Sequence, residues 1–597
     1  MPEALVIHKL GYLLAQQRSA AAAIAEELKD VPSRKKYAEA FCASVLGHIW
    51  DIKVRSKQRS WNLPDPPVDH GVLDVEIREL AADTALLAAQ LDMATSGYFL
   101  GTIYTSLLPA RVRTEWGVYY TPPPLVERLL SNVTNAGLDW TKARVIDPAC
   151  GGAAFLAPVA VRMWRALSRK ALAPKGILDH ISANLSGVEI DAFAAWMSQA
   201  LTELRLLDLM IASSRRLRPI VRVGDALQSL VAEPPVYDLV VGNPPYGKVQ
   251  LSQGMKEHYG RSVYGHANLY GLFTDLALRI TSSHGIVAFV TPTSFLSGQY
   301  FKALRSILAI EAPPLTLDFV HQRDGVFEDV LQETVLVTFR KRTRGSSVTK
   351  ISAIDADRVN GGVKITSVTR FAIAQLGERP WLLPRSTRQH DVLRGAMGMK
   401  NRLAHYGLAV ATGQLVWNRH KDQLRSAPSA RSLPLIWAES VLPDGSFRFR
   451  ALRANHKPYF ELRPGQDYLV TTEECLLVQR TTAKEQHRRL LCAVLPNEFI
   501  QKNGGGVVVE NHLNIIKQAA GLLPAVPLRA VCALLNSQVV DQVFRCISGS
   551  VAVSAYELNA LPLPDPEQIM QLDRLLQDSH TNGQAVEDFI AHLYGVR

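Results

Sequence analysis

The sequence predicts an α/β protein built on a doubly wound, mostly parallel sheet of seven strands, with a helical region before it and a mixed α+β domain after it. Two observations predict this. Between residues 116 and 345, seven short apolar runs alternate with helical stretches: ARVID, LSGVEI, IVRVGD, YDLVVGN, GIVAFVT, LTLDFV and TVLVTF. The texture differs on either side: helix formers dominate earlier, and proline-broken β-like runs such as YLVTT, LLVQR and GVVVE come later. The expected boundaries are a helical region at 1–115, the sheet domain at 116–345, a linker at 346–385 and a C-terminal domain at 386–597.

In the first region, SAAAAIAEELKD carries strong helix formers, and VEIRELAADTALLAAQLDMA spaces its apolar residues along one helix face. The proline-rich WNLPDPPVDHG between them reads as a loop. Lys53, Arg55, Lys57 and Arg59 alternate. On an extended backbone all four face one side, which suits either phosphate contact or a solvated loop. The opening segment lacks the basic start, long apolar core and cleavage site of a secretory signal, and no apolar run reaches membrane-spanning length. No membrane partner and a cytoplasmic location are therefore expected. Six scattered cysteines without a CxxC pair argue against a disulfide scaffold or a zinc site, so no metal is expected.

In a doubly wound sheet, ligands bind at the carboxyl ends of the strands, so the polar residues ending the apolar runs are the candidates. The first run ends in Asp147-Pro-Ala-Cys-Gly-Gly, where glycines at a strand-to-helix turn let the backbone approach a ligand. The second ends in Gly187-Val-Glu189-Ile-Asp, placing a carboxylate where ribose hydroxyls bind. The third ends in Gly224-Asp225-Ala226, a candidate for an adenine amino group. Singly, Glu189 and Asp225 read equally well as helix caps.

The fourth run ends in Asn243-Pro244-Pro245-Tyr246, the sharpest feature of the chain. A match to this pattern arises by chance in about 2% of chains this long, before its place after a fourth strand is required. An aromatic amine is a poor nucleophile because its lone pair is delocalised into the ring. Two acceptors aimed at its N–H groups favour a more tetrahedral nitrogen. Asn243 Oδ1 and the Pro244 carbonyl supply such a pair, and adjacent prolines hold it preorganised. Tyr246 can stack on the base.

Charge is concentrated downstream. Between Arg379 and Lys457 there are 14 Lys or Arg and four Asp or Glu, so 14 − 4 = +10 of the chain's +11 lies there. One-signed charge of this density suits a phosphate backbone. Within it, Trp417, Asn418 and Arg419 follow an ATGQLV run, and Asn and Arg can read base edges.

Together these residues resemble the amino-methylating DNA adenine methyltransferases, in particular the subgroup with a C-terminal target-recognition domain. Gly117-Val-Tyr-Tyr120-Thr121-Pro122 resembles the family's YTP cofactor motif. The loop at Asp147 resembles DPACGxG, with Ala153 where glycine is usual. His266-Ala-Asn-Leu-Tyr-Gly-Leu-Phe273 resembles the NLYxxF helix, and Gly325-Val-Phe327 the segment whose Phe stacks on the extruded base. The resemblance implies S-adenosylmethionine as cofactor, held by Tyr120, Thr121, Pro122, Asp147, Ala149, Gly151, Glu189, Ile190, Asp225, Ala226, Asn243, Pro245 and Phe273. It implies catalysis by Asn243, Pro244, Pro245, Tyr246 and Phe327 on the N6 amine of a flipped adenine. Double-stranded DNA is the implied partner. Lys248, His258 and Arg261, in the loop after the turn, suit either phosphate contact or solvent, and Arg419 is a further candidate contact. Restriction, where it accompanies the activity, is assigned to a separate endonuclease. The turn at Asn243 also suits a guanine in RNA or a protein glutamine. A DNA-binding subunit with an inactive methylase fold is the alternative of a different class.

Overall fold

The computed structural model describes residues 3–57, 61–68, 73–116, 120–321, 333–342, 348–357, 362–372, 377–481, 488–547, 552–580 and 582–596. The chain divides into two compact units. One is Met1–Pro292 with Ala303–Glu378, the other Thr293–Lys302 with Arg379–Arg597.

The first unit begins with helices α1 (Glu3–Glu27), α2 (Val31–Arg55), α3 (Val75–Ala88), α4 (Met93–Leu107) and α5 (Ala110–Trp116). Asp30 and Asp92 start α2 and α4 by accepting backbone N–H groups of Ser33, and of Ala94 and Thr95. These helices have no separate core. Leu14, Phe41, Trp50, Ala85 and Leu100 are buried in one cluster with Val145, Leu239, Ile286 and Leu336 of the sheet. The described part of the alternating basic run is not extended. Lys53 and Arg55 lie in the last turn of α2, where Lys53 bonds the Ala89 carbonyl and Arg55 pairs with Asp51. Lys57 pairs with Asp208, and Arg59 lies outside the described residues.

Then follow α6 (Pro123–Asn135), β1 (Val145–Asp147), α7 (Leu156–Arg169), α8 (Pro174–Asn184), β2 (Leu185–Glu189), α9 (Ala192–Arg205), α10 (Leu207–Ser213), β3 (Val221–Val223), α11 (Ala226–Ser229) and β4 (Tyr237–Gly242). A short ribbon of β5 (Lys248–Val249) and β6 (Ala267–Asn268) encloses α12 (Gln253–Tyr259). The unit closes with α13 (Leu269–Ile280), β7 (Thr281–Pro292), α14 (Lys302–Glu311), β8 (Pro314–Val320), β9 (Thr334–Arg340), β10 (Val348–Ala356) and β11 (Val363–Ala372).

All seven apolar runs become strands of one sheet, but the sheet has nine, in the order β11-β10-β8-β9-β7-β4-β1-β2-β3. Strands β3, β2, β1, β4 and β7 run parallel, and β9 is antiparallel to β7 and β8. The two extra strands correct the expectation of a linker at 346–385. Strand β10 pairs parallel with β8, burying Ile351 and Ile354, and turns back antiparallel as β11. The basic Ser/Gly run just before Val348 reads as a connector, whereas the apolar spacing after it belongs to β10. The strand order reverses between β1 and β4, so a crevice opens beyond their carboxyl ends.

The second unit is mixed α+β. One antiparallel sheet orders Leu408–Thr412, Leu513–Gln518, Cys475–Gln479 and Cys492–Leu495, and a five-stranded sheet is centred on Ser432–Ile436. The stretch AVCALLNSQVVDQVFRCI is two helices, Leu528–Asn536 and Gln538–Ile547, because Ser537 is extended.

Candidate active site

The residues at the ends of β1, β2, β3 and β4 line one cavity of about 330 Å³. Of the expected cofactor residues, Tyr120, Thr121, Asp147, Ala149, Gly151, Glu189, Ile190, Asp225, Ala226, Asn243, Pro245 and Phe273 all line it. Pro122 does not, and instead starts α6, accepting the backbone N–H groups of Leu125 and Val126.

Asp147 is buried at the end of β1, where its Oδ1 accepts the Ala149 backbone N–H at 3.1 Å. Its neighbour on β4 is Gly242, whose Cβ, if present, would fall 2.6 Å from Asp147 Oδ1. That glycine gives the carboxylate its room. Burial pushes the Asp147 carboxyl up to about 8; the Ala149 N–H opposes this, and the nearby Glu189 adds to it. A cationic ligand group placed beside Asp147 would restore its charge.

Glu189 ends β2 with both oxygens engaged by backbone donors. Gly151 N–H donates to Oε2 at 2.8 Å and Asp191 N–H to Oε1 at 3.0 Å. Burial raises the Glu189 carboxyl, against these donors, and the Asp191 charge adds to the rise. Each carboxylate oxygen has a second lone pair, so the group remains able to accept two ligand hydroxyls. Beside it the side chain of Ile190 is 60% exposed at the wall of the cavity, an apolar face for a flat ring.

The loop after β1 is bent tightly enough that Gly151 has φ 48° and Ala153 φ 64°. Ala153 therefore occupies a left-handed conformation that costs a residue with a Cβ about 1–2 kcal/mol. The cavity also holds polar atoms with no internal partner. Tyr120 Oη and Thr121 Oγ1 are buried and unbonded. Three carboxylates at three strand ends, an apolar platform and these two hydroxyls fit a ligand carrying an ammonium, a ribose and an adenine.

At the end of β4, Asn243 and Pro245 face the same cavity. The Tyr246 hydroxyl lies 2.7 Å from Asn243 Oδ1 and 3.2 Å from the Val290 carbonyl, and its ring meets Tyr270 edge-on. The acceptor expected to receive an amine thus already accepts from Tyr246. Phe327 lies outside the described residues.

Of the candidate DNA contacts, Lys248 lines the cavity. Arg261 pairs with Asp275 at 2.6 Å and Glu311 at 2.9 Å. Arg419 is exposed, on the short 3₁₀ turn Trp417–Arg419 of the second unit.

The comparisons with known proteins bear on this geometry. Residues 184–324 match the Eco57I restriction-modification methylase family. The chain is 26% identical over 354 residues to the Type II methyltransferase M.BsuBI of Bacillus subtilis, covering 58% of this chain and 68% of that protein. It is 24% identical over 339 residues to the Type II methyltransferase M.PstI of Providencia stuartii, covering 56% of this chain and 66% of that one. These findings support a restriction-modification methyltransferase. In fold, the chain is similar over its whole length to the Type IIL restriction-modification enzyme MmeI in complex with DNA, with a TM-score of 0.51, 13% identity and 94% of that chain covered. Among the described residues no helix is long and apolar enough to cross a membrane.

Sequence reasoning missed several walls of the cavity. Tyr104 and Leu269 line it, as do Phe155 and Met255. Asp191 also lines it, although the motif containing it was read only for Glu189. For Tyr104, in a helix that matches no motif, no local signal exists.

Proposed function

We propose that this chain transfers a methyl group from S-adenosylmethionine to the N6 amine of an adenine turned out of double-stranded DNA at a short recognition sequence. The observation that carries the reading is the Asn243-Pro244-Pro245-Tyr246 turn, which opens onto the same cavity as Asp147, Glu189 and Asp225. Asp147 is placed for the ammonium of the cofactor, Glu189 for its ribose, and Ile190 and Phe273 for its adenine, with Asp225 toward the adenine's amino edge. The bound cofactor supplies an electrophilic methyl carbon.

Asn243 Oδ1 and the Pro244 carbonyl accept the two N–H groups of the target amine and expose its lone pair. Before the base arrives, Oδ1 accepts the Tyr246 hydroxyl, and its second lone pair serves the amine. That ring, with Phe327 on the opposite face, clamps the base. No strong general base is needed, because the methylated nitrogen loses its extra proton readily.

The second unit supplies the DNA surface in this reading. Arg379, Arg388, Arg394, Lys400, Arg419, Lys421, Arg431, Arg448 and Arg453 are exposed on it. A cytoplasmic modification enzyme of this kind protects host DNA from a separate endonuclease cutting the same sequence.

The test is modification-sensitive long-read sequencing of DNA from cells expressing the wild type or Asn243→Ala. The expected outcome is N6-methyladenine at one short motif, absent in the variant, with cofactor binding retained. Methylation that persists in Asn243→Ala refutes the assignment.

A further inference from the structure

The cofactor cavity has one wall that no methyltransferase motif accounts for, and it comes from the N-terminal helices. Tyr104 of α4 lines the cavity, and its hydroxyl donates to Asp191 Oδ2 at 2.5 Å. Three residues earlier on the same helix face, Gly101 packs against Tyr120. A Cβ at Gly101 would lie 2.2 Å from the Tyr120 ring, and one at Gly152, across that ring, 2.5 Å from it. Helix α4 thus touches the site twice, through a glycine slot that seats Tyr120 and through a hydroxyl that seats Asp191.

Asp191 passes that contact on. Its Oδ1 accepts the Phe193 N–H and starts α9, with Lys35 Nζ of α2 at 3.9 Å. Its own backbone N–H donates to Glu189 Oε1, while Gly151 N–H holds Oε2. Both Tyr104 and Asp191 are buried. The rotation of the Asp191 side chain is therefore set by two directed hydrogen bonds, one to α9 and one from α4. The backbone of Asp191 in turn fixes the Glu189 carboxylate that faces the cavity. Removing the hydroxyl leaves a buried carboxylate oxygen short of a donor, and the turn at residues 189–191 relaxes to find another.

We propose that Tyr104 is a positioning residue for the cofactor's ribose: acting through Asp191, it holds Glu189 in the orientation that accepts the ribose hydroxyls, so that the N-terminal helices complete the cofactor site. This rests on the reading of the cavity as a S-adenosylmethionine site. It also gives the helices a role that requires no contact with DNA or with an endonuclease.

The test is calorimetric titration of the full-length chain with S-adenosylhomocysteine and with its 2′,3′-dideoxyribose counterpart. For Tyr104→Phe, which keeps the ring and its packing, the expected loss is about tenfold in affinity for the ribose ligand and less than twofold for the dideoxy ligand. Asp191→Asn keeps an oxygen to start α9 and removes the charged acceptor of the Tyr104 hydroxyl. It shows the same ribose-dependent loss, and the double variant is no worse than the weaker single one. Equal losses for the two ligands, or no loss for either, overturn the proposal. A wild type that binds neither S-adenosylmethionine nor S-adenosylhomocysteine overturns the cofactor reading beneath it, an outcome distinct from a binding wild type matched by its Tyr104→Phe variant.

Discussion

The cavity of the first unit and the surface of the second handle charge in opposite ways. In the cavity the carboxylates at the strand ends are fixed by backbone donors, and burial, with Glu189 nearby, moves Asp147 to about 8. On the second unit the charges are arginines and lysines, and most of those between Arg379 and Lys457 face solvent. Some are tied down there, as Arg453 is beside Glu439 and Arg425 beside Glu461. The difference teaches what each region can recognise. A desolvated carboxylate discriminates one small cationic ligand by strong local interactions, whereas exposed cations attract any polyanion and act through counterion release.

The largest effect that separates the two is expected from salt. With six to ten phosphate contacts, DNA affinity falls by roughly 10³-fold or more between 50 and 200 mM salt. The affinity for S-adenosylmethionine, measured on the same preparation without DNA, changes less than twofold. Equal salt slopes for both ligands erase the contrast.

Protons give the converse experiment. Asp147 is raised, so at pH 7 the empty cavity holds it mostly protonated, and an ammonium beside it favours the ionised form. Binding of S-adenosylmethionine at pH 7 is expected to release close to one proton. Its affinity rises about tenfold from pH 6 to pH 7, because the ionised fraction of a group titrating near 8 rises by that factor. Calorimetry in buffers of different ionisation enthalpy counts the protons. The Asp147→Asn variant should release none, and a proton count near zero in the wild type contradicts the buried-carboxylate picture.

The smallest effect concerns backbone conformation. Ala153 sits at φ 64°, so Ala153→Gly removes left-handed strain in the cavity loop. Part of the gain is offset by the freedom glycine recovers on unfolding. A net stabilisation of about 0.5–1 kcal/mol in chemical denaturation is expected, with DNA affinity unaltered. A destabilised variant would mean that the Ala153 methyl packs more strongly than its backbone strains.

The two regions also differed in how far they could be read in advance. Strands β1 to β4 end in residues whose types are set by local chemistry, so Asp147, Glu189, Asp225 and Asn243 were found with their neighbours. Tyr104 and Gly101 were not, because their role arises only when α4 packs against residues far along the chain. The hairpin of β10 and β11 was hidden for a related reason. Strand pairing is a non-local event, and a basic Ser/Gly run beside Val348 outweighed the modest alternation of the strand itself. The second unit showed its charge in the sequence but not its two sheets, whose strands are as short as Leu424–Arg425 and Val470–Thr471.

The hydrogen bond from Tyr246 to Asn243 has a consequence for which bases are admitted. On the proposed reading, the arriving group must supply a donor to the second lone pair of Asn243 Oδ1. The amine of adenine does so at little net cost. Thymine presents O4 and guanine O6 at the corresponding edge, and either would set one lone pair against another at Asn243 Oδ1. The turn therefore works as a polarity filter that sorts amino bases from keto bases before any shape is read. Cytosine, which also carries an amine, passes that filter, so its exclusion falls to the span between the turn and the methyl donor.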